Sequence, residues 1–240
     1  MKKYYELIYK DDDVIVVSKY AGVYSIAPRH EQRAIVLHDL LKNEYGDVFV
    51  LHRLDRDTSG LMVFAGNEKS HKELSRQFQN NEVEKTYYVF VDGVLDMEAD
   101  DSYLIDVPIM IVPGIHKVRI HDKGKASQTK IRVVELYKNH SLIEAKLLTG
   151  RTHQVRVHMQ YLGYPLIVDK YYGRRDEFFL SEIKKKYKIN DDEIERPLVK
   201  RQTLHAYSLS FNHPVSGERL HFVSELPKDL KALRYQLKKN

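Results

Sequence analysis

The chain of 240 residues contains no cysteine and no tryptophan. The lack of cysteine excludes disulfides, thiolate nucleophiles, iron–sulfur clusters and cysteine-bearing zinc fingers. No apolar run approaches the roughly 20 residues that a membrane-spanning helix needs, and the first residues lack the apolar stretch of a signal peptide. We therefore expect a soluble, cytoplasmic protein without a membrane segment, in which any nucleophile is an oxygen or a nitrogen.

Glycine occurs only 11 times, and no two glycines are separated by a single residue, so the dinucleotide-binding pattern GxGxxG is absent. Gly60 and Gly66 are the closest pair, but no lysine follows them as a phosphate-binding loop requires. His153 and His158 would lie about 140° apart on a helix, and no HExxH motif occurs, so the pattern gives a metal site little support.

With 42% hydrophobic and 30% charged residues, the chain can form a substantial core. No Gly/Ser/Pro-rich linker divides it, which predicts a single domain over residues 1–240. A net charge of +5 favours anionic partners only weakly, since such a balance is often a solvated surface.

Apolar periodicity predicts an α+β fold with a mixed, mostly antiparallel central sheet flanked by helices. Predicted strands cover residues 4–8, 14–18, 61–65, 86–92, 117–120, 129–136, 141–148, 202–211 and 219–223. Predicted helices cover residues 35–46, 68–78, 153–161 and 227–237, the second of them capped by Asn67.

Residues 173–200 carry both signs of charge and form a charged insert. Phe178, Phe179, Leu180, Ile183 and Tyr187 would give this insert one apolar helical face. Mixed charge runs are usually solvated, so a surface helix and loop is the favoured interpretation. A substrate-contacting insert is the alternative.

Polar groups concentrate in two segments, residues 51–60 and 149–159. The first precedes an apolar strand and is either a functional loop or an ordinary charged turn. The second is a glycine turn leading into a helix with two arginines, whose simpler interpretation is a basic helix on a solvated face.

These segments resemble the RluA-type pseudouridine synthases. Three motifs carry the resemblance: HRLDRDTSGL at 52–61, KTY at 85–87 and GRTHQVRVHM at 150–159. Residues 204–206, 211–214 and Gly217 resemble the closing strands of that family, so the similarity spans nearly the whole chain. The order of these motifs along the chain and the separations between them are those expected for the family.

The resemblance implies the family's catalytic fold and its reaction, in which a uridine base within RNA is detached from its ribose, turned and rejoined through carbon. It implies no cofactor and no metal. The partner would be a stem-loop of tRNA, of ribosomal RNA or of both, bound by a monomer. The additional S4-type RNA-binding module that many relatives carry is not expected here, because the catalytic motifs begin close to Met1.

Matched to the family, Asp55 is the essential carboxylate, acting as nucleophile or as general base. Tyr87 is the active-site tyrosine, which can stack on an extruded base; the alternative is a strand aromatic that faces the core. Arg156 is the basic residue that pairs with Asp55 and keeps it ionised.

The resemblance places four further residues on the substrate side: Arg53, His52, Arg151 and His205. The alternative for Arg151 and His205 is a structural role. Arg53 would occupy the space left by the flipped uridine, since a guanidinium can stack and also bind phosphate. Thr58, Ser59 and Gly60 are expected to shape the turn that presents Asp55.

Two segments depart from the family pattern. Residues 19–22 read Lys-Tyr-Ala-Gly where relatives commonly have Lys-Pro-Ala-Gly, and Val168-Asp169 stands where Gly-Asp is common before Tyr172-Gly173. Neither departure is expected to touch the proposed catalytic residues.

Two other classes of function remain as alternatives. A non-catalytic RNA-binding or ribosome-assembly factor would share a basic groove but would not need Asp55, Tyr87 and Arg156. A metal-assisted hydrolase would need clustered ligands and metal-dependent activity, which the histidine spacing does not favour.

Overall fold

The computed structural model describes residues 3–28, 31, 33–97, 101–115, 117–184, 187 and 194–240. These residues group into two compact units. Unit 1 comprises Met1–Thr86 and His205–Glu225, and unit 2 comprises Tyr87–Leu204 and Leu226–Asn240. No helix in the described part of the chain is both long and apolar enough to cross a membrane.

Unit 1 is built on strands in the order β1-β2-β4-β11, with β3 paired to β4 and β12 paired to β11. Its elements are β1 (Tyr5–Lys10), β2 (Val14–Lys19), α1 (Leu37–Tyr45), β3 (Phe49–Val50), β4 (Ser59–Ala65), α2 (Glu68–Gln79), β11 (Leu204–Asn212) and β12 (Arg219–Val223). All of these strand pairs are antiparallel except β4 with β11, which run parallel.

The apolar runs of β2 and β4 are buried along their whole length. A strand covered on both faces needs a continuous apolar sequence, which is the pattern these two strands have. Asn67 caps α2 as expected, because its side-chain oxygen accepts a hydrogen bond from Ser70 N at 2.9 Å. Strand β4, which follows Asp55, and its partner β2 are thus anchored in the unit 1 core.

Unit 2 contains strands in the order β5-β10-β9-β6 and a separate β7–β8 hairpin. Its elements are β5 (Glu84–Asp92), β6 (Ser102–Asp106), β7 (Ile109–Ile111), β8 (Val118–Ile120), β9 (Gln128–Leu136), β10 (His140–Leu147), α3 (Gln154–Tyr161), a 3₁₀ turn (Leu180–Glu182) and α4 (Lys228–Lys239). The KTY motif at 85–87 lies on β5. Its first two residues, Lys85 and Thr86, belong to unit 1.

The expected α+β architecture, with a mixed and mostly antiparallel sheet flanked by four helices in the described residues, is confirmed. The short strands β3, β6 and β7 were not predicted. Strand β6 exposes four of its five residues, so its sequence lacks the apolar alternation that marks a half-buried strand.

The prediction of a surface helix within residues 173–200 is wrong for the described part of that segment. Its only helical element there is the 3₁₀ turn. Phe178 is fully buried in the unit 2 core, against which Ile183 also packs, and forms a β-bridge with Val199. Phe178 therefore serves the core and does not line a helix face. Residues 185, 186 and 188–193 lie outside the described residues.

Candidate active site

Asp55 lies in the loop of residues 51–58, which joins β3 to β4. Asp55 is partly exposed. Its backbone carbonyl accepts a hydrogen bond from Thr58 N at 3.1 Å and closes a tight turn. Next to it, Arg56 and Asp57 form an ion pair at 3.0 Å on the surface.

Ser25 fixes the residue before Asp55. The Ser25 hydroxyl donates to Leu54 O at 2.8 Å and accepts from Leu54 N at 3.0 Å, and both residues are buried. A single side chain therefore satisfies the donor and the acceptor of one peptide residue. These two hydrogen bonds hold the backbone of Leu54, the residue immediately before Asp55.

Lys19 fixes the residue after Asp55. The side chain of Lys19 is fully buried, and its Nζ donates to Val23 O at 2.8 Å, Arg56 O at 2.9 Å and Tyr20 O at 3.2 Å. Gly22 N donates to the same Arg56 carbonyl at 2.9 Å. Residues 19–25 thus bind the backbone on both sides of Asp55 and present it on a rigid support.

His52 anchors the start of the loop to β4. Its Nε2 accepts a hydrogen bond from Val63 N at 3.1 Å, and its ring stacks on Phe78 with centroids 5.1 Å apart. Burial, with a smaller contribution from Lys85, lowers the pKa of His52 to about 3. The ring is therefore neutral near pH 7 with its proton on Nδ1. This geometry makes His52 a support of the loop, and its role in binding substrate stays a prediction.

His205 is buried, with 1% of its surface exposed. Its Nε2 lies 2.9 Å from Ser224 O and its Nδ1 lies 2.9 Å from the Ser59 hydroxyl. A carbonyl only accepts, so in the neutral ring Nε2 carries the proton and Nδ1 accepts from Ser59. His205 thereby ties β11 to the start of β4, and the predicted contact with RNA stays a prediction.

Arg53 and Arg151 are both exposed. Arg53 makes no ion pair within the part of the chain that the structure describes. Arg151 donates from Nε to Ala126 O at 3.1 Å, and its backbone N donates to Gln154 Oε1 at 3.0 Å. An exposed guanidinium is suited to phosphate, which agrees with the predicted role of both residues but does not test it.

Arg156 lies on α3 and is 5% exposed. The alternative of a basic helix on a solvated face is therefore wrong, since residues 154–159 are all buried. Arg156 forms a bidentate ion pair with Asp169, with Nε–Oδ2 at 2.6 Å and Nη2–Oδ1 at 2.7 Å. The expectation that the 167–173 segment does not touch the proposed catalytic residues is also wrong, because Asp169 belongs to that segment.

Two aromatic rings accompany this pair. The Arg156 guanidinium lies 5.5 Å from the ring centroid of Tyr171 and 5.1 Å from that of Tyr172. The Tyr172 hydroxyl accepts from Val118 N at 2.8 Å and lies 2.9 Å from His153 Nδ1. No sequence pattern predicts these contacts, although the segment that ends at Tyr172-Gly173 matches part of the family pattern.

Tyr87 is 8% exposed on β5 in unit 2. A buried strand aromatic is the simpler of the two interpretations of this residue, and stacking on a base stays a prediction. The pairing of Arg156 with Asp55 likewise stays a prediction.

Within the described residues, one group could offer ligands to a metal ion: Asp11, Asp13 and His213, whose ligand atoms lie within 4.8 Å of one another. These atoms already have partners. His213 Nε2 lies 3.0 Å from Asp11 Oδ2, and the Ser70 hydroxyl donates to Asp13 at 2.6 Å. The network joins the β1–β2 turn to the start of α2 and to the end of β11.

The sequence model of RNA pseudouridylate synthases matches residues 7–161, and this match includes the Asp55 loop and α3. The chain belongs to the RNA pseudouridine synthase family. The dual-specificity RNA pseudouridine synthase RluA of Vibrio vulnificus is 36% identical over 88% of this chain and 79% of its own length. The ribosomal large subunit pseudouridine synthase D of Pseudomonas aeruginosa is 36% identical over 93% and 69%.

Solved structures agree with this membership. The human RNA pseudouridylate synthase domain containing 1 superposes with a TM-score of 0.69 at 26% identity, covering 93% of this chain and 84% of the human chain. The family-level resemblance expected from the three sequence motifs is therefore confirmed. The non-catalytic and metal-hydrolase classes have no comparable support.

Proposed function

We propose that this chain converts specific uridines in stem-loops of tRNA, ribosomal RNA or both to pseudouridine, with Asp55 as the essential carboxylate. It does so in the cytoplasm as a monomer, with residues 1–240 as one catalytic domain and with neither metal nor cofactor. The observation that carries the proposal is the support of the Asp55 loop, in which Ser25 and Lys19 hold the residues on either side of a partly exposed carboxylate. A preorganised carboxylate is what both forms of the chemistry require.

The reaction is an isomerisation that balances without an oxidant or a reductant. The N1–C1′ bond of the uridine breaks, the base turns, a C5–C1′ bond forms, C5 loses its proton and N1 gains one. Asp55 acts either by adding to the substrate as a nucleophile or by removing a proton as a base. Arg156 keeps this carboxylate ionised and sets its rotamer.

The remaining predicted residues bind the RNA. Tyr87 stacks on the extruded base, and Arg53 fills the space that the base leaves. Arg151 contacts phosphate, and His52 and His205 complete the substrate side. The exposure of Arg53 and Arg151 supports their part of this proposal.

The names of the relatives favour both classes of RNA, because one is a dual-specificity enzyme and the other acts on the ribosomal large subunit. The test is to incubate the protein with total tRNA and ribosomal RNA from cells that lack it, with a chelator present and no added nucleotide. Pseudouridines are then mapped by chemical labelling. New sites in tRNA, ribosomal RNA or both name the substrate.

Asp55→Asn should remove these sites, and Asp39→Asn, the same substitution at an exposed residue of α1, should keep them. Tight binding to RNA without a new pseudouridine in any fraction would contradict the proposal and favour an assembly factor. Activity that appears only with an added metal ion would contradict the metal-free part.

A further inference from the structure

Tyr171 presents an accessible aromatic ring on unit 2. The residue is 44% exposed, and the Arg156 guanidinium carbon lies 5.5 Å from its ring centroid. Arg156 is only 5% exposed, so this contact lies on the protein side of the ring. The His153 ring lies 5.9 Å from the Tyr171 ring, with the two planes 40° apart. Tyr171 therefore rests on protein groups and can still be reached from solvent.

Lys117 places a cation at the same ring. Its Nζ lies 5.3 Å from the Tyr171 ring centroid. Lys117 forms no ion pair with any residue that the structure describes, and the same holds for the exposed Lys170, which precedes Tyr171 in the chain. Because no acidic side chain neutralises these two ammonium groups, both are available to an anion.

Hydrogen bonds to the backbone fix the ring and the lysine relative to each other. Tyr171 N donates to the buried Asp169 Oδ1 at 2.8 Å, and Val118 N donates to the Tyr172 hydroxyl at 2.8 Å. Tyr172 and Val118 are the chain neighbours of the ring and of the lysine, so one hydrogen bond joins the two segments. The ring and the lysine are thus positioned before a ligand arrives, which reduces the entropy that binding would cost.

An accessible aromatic ring beside a cation without an acidic partner fits one nucleotide of single-stranded RNA. Any base can stack on such a ring, and an ammonium group can contact the phosphate. We propose that Tyr171 and Lys117 bind one nucleotide of the substrate RNA other than the target uridine, for which the proposed function assigns Tyr87. This inference rests on the proposed function, from which it takes the RNA substrate.

The first test uses the lack of tryptophan in the chain, because Tyr171→Trp then introduces a single indole at this site. A single-stranded oligouridylate of about 12 nucleotides should quench its fluorescence, since a base stacks on the ring. An abasic ribose-phosphate strand of the same length carries the charge without the bases and should quench it little. Equal quenching by the two strands would overturn the stacking role.

Tyr235→Trp is the matched control. Tyr235 is 60% exposed in the same unit, and Lys239 Nζ lies 5.9 Å from its ring centroid. A ring beside a lysine is therefore present at both positions, but only Tyr171→Trp should show quenching that depends on the bases. Base-dependent quenching of the same size at Tyr235→Trp would show general contact with RNA and overturn the assignment to Tyr171.

The second test measures the Kd of the same oligouridylate. Tyr171→Leu should raise it about 10-fold, as the loss of one stacked base implies, whereas Tyr171→Phe keeps the ring and should change it by less than about twofold. Lys117→Met should lower the slope of log K against log salt concentration by about 1. Equal losses in Tyr171→Leu and Tyr171→Phe would overturn the stacking role, and an unchanged salt slope would overturn the phosphate contact.

Turnover separates this inference from the proposed function. With the RNA in which the unaltered protein forms pseudouridine, Tyr171→Leu should keep the single-turnover rate at saturating enzyme within about threefold, because a contact made equally before and during the reaction changes affinity and not that rate. A slow reaction at unchanged Kd would overturn the binding role. Absence of pseudouridine in every RNA would contradict the proposed function, whereas an active protein whose Tyr171→Leu variant binds RNA normally would overturn this site alone.

Discussion

Replacing Lys19 with methionine removes the charge that holds the Asp55 loop but keeps most of the side-chain volume. Lys19 is fully buried, with three backbone carbonyls as its hydrogen-bond acceptors. Of these, Arg56 O keeps its second donor, Gly22 N. Val23 O loses a buried, charge-assisted bond of 2.8 Å.

The magnitude follows from these bonds. A buried carbonyl left without a donor costs about 1–3 kcal/mol, and the loss of a bond to a charged group costs about 1.5–3 kcal/mol. Removing the desolvation penalty of a buried ammonium offsets part of this loss. We expect a net fall of about 3 kcal/mol in the free energy of unfolding, which in a chain of this size lowers Tm by about 6–12 °C.

The assay is urea unfolding followed by circular dichroism, with the exposed strand residue substitution Lys130→Met as the control. The midpoint should fall for Lys19→Met at an unchanged m-value and stay in place for Lys130→Met. The kcat of the folded Lys19→Met enzyme should fall as well, because the loop loses one of the side chains that hold it. A free energy of unfolding within about 0.5 kcal/mol of that of the unaltered protein would show that the Lys19 hydrogen bonds do not hold the loop, since surface substitutions alone have effects of that size.

Two further predictions concern Gly60 and His52. Gly60 has φ +115°, and a Cβ there would lie 2.7 Å from Ala206 N, whereas Gly163 has φ +87° but open space around its Cβ position. Gly60→Ala should therefore lower the free energy of unfolding several times as much as Gly163→Ala. Equal losses in thermal unfolding would contradict this prediction. The pKa of His52 lies near 3 in the folded protein against an ordinary 6.5, so the unfolded chain binds a proton that the folded chain does not. The unaltered protein should therefore lose stability relative to His52→Gln as the pH falls from about 6.5 toward 3, whereas parallel stability curves would show that the histidine titrates normally.

Much of the fold could be predicted because its buried strands carry an unambiguous pattern. Strands β2 and β4 read as continuous apolar runs, and Asn67 marks the start of α2. Strand β6 escaped prediction because it is largely exposed. The apolar spacing around Phe178 predicted a helix face that the described residues do not form. Such spacing indicates which side chains are buried, but not whether they belong to a helix.

The candidate site could be predicted only in part, because its motifs are local and its supports are not. The motif around Asp55 marks the loop, but the partner of Lys19 lies 37 residues away. The partner of Arg156 lies 13 residues away on another segment. Lysine and aspartate are mostly exposed in proteins, so these residue types do not predict a buried contact.

The proposed isomerisation, with Asp55 as its essential carboxylate, replaces the hydrogen on C5 of uridine with a bond to C1′. The most direct measurement is the release of tritium to water from substrate RNA that carries [5-³H]uridine, in a single turnover with enzyme in excess. The unaltered protein should release one tritium for each pseudouridine formed. Asp55→Asn should release none while it binds the same RNA with similar affinity. Tritium release by folded Asp55→Asn at the unaltered rate would show that Asp55 is not the essential carboxylate.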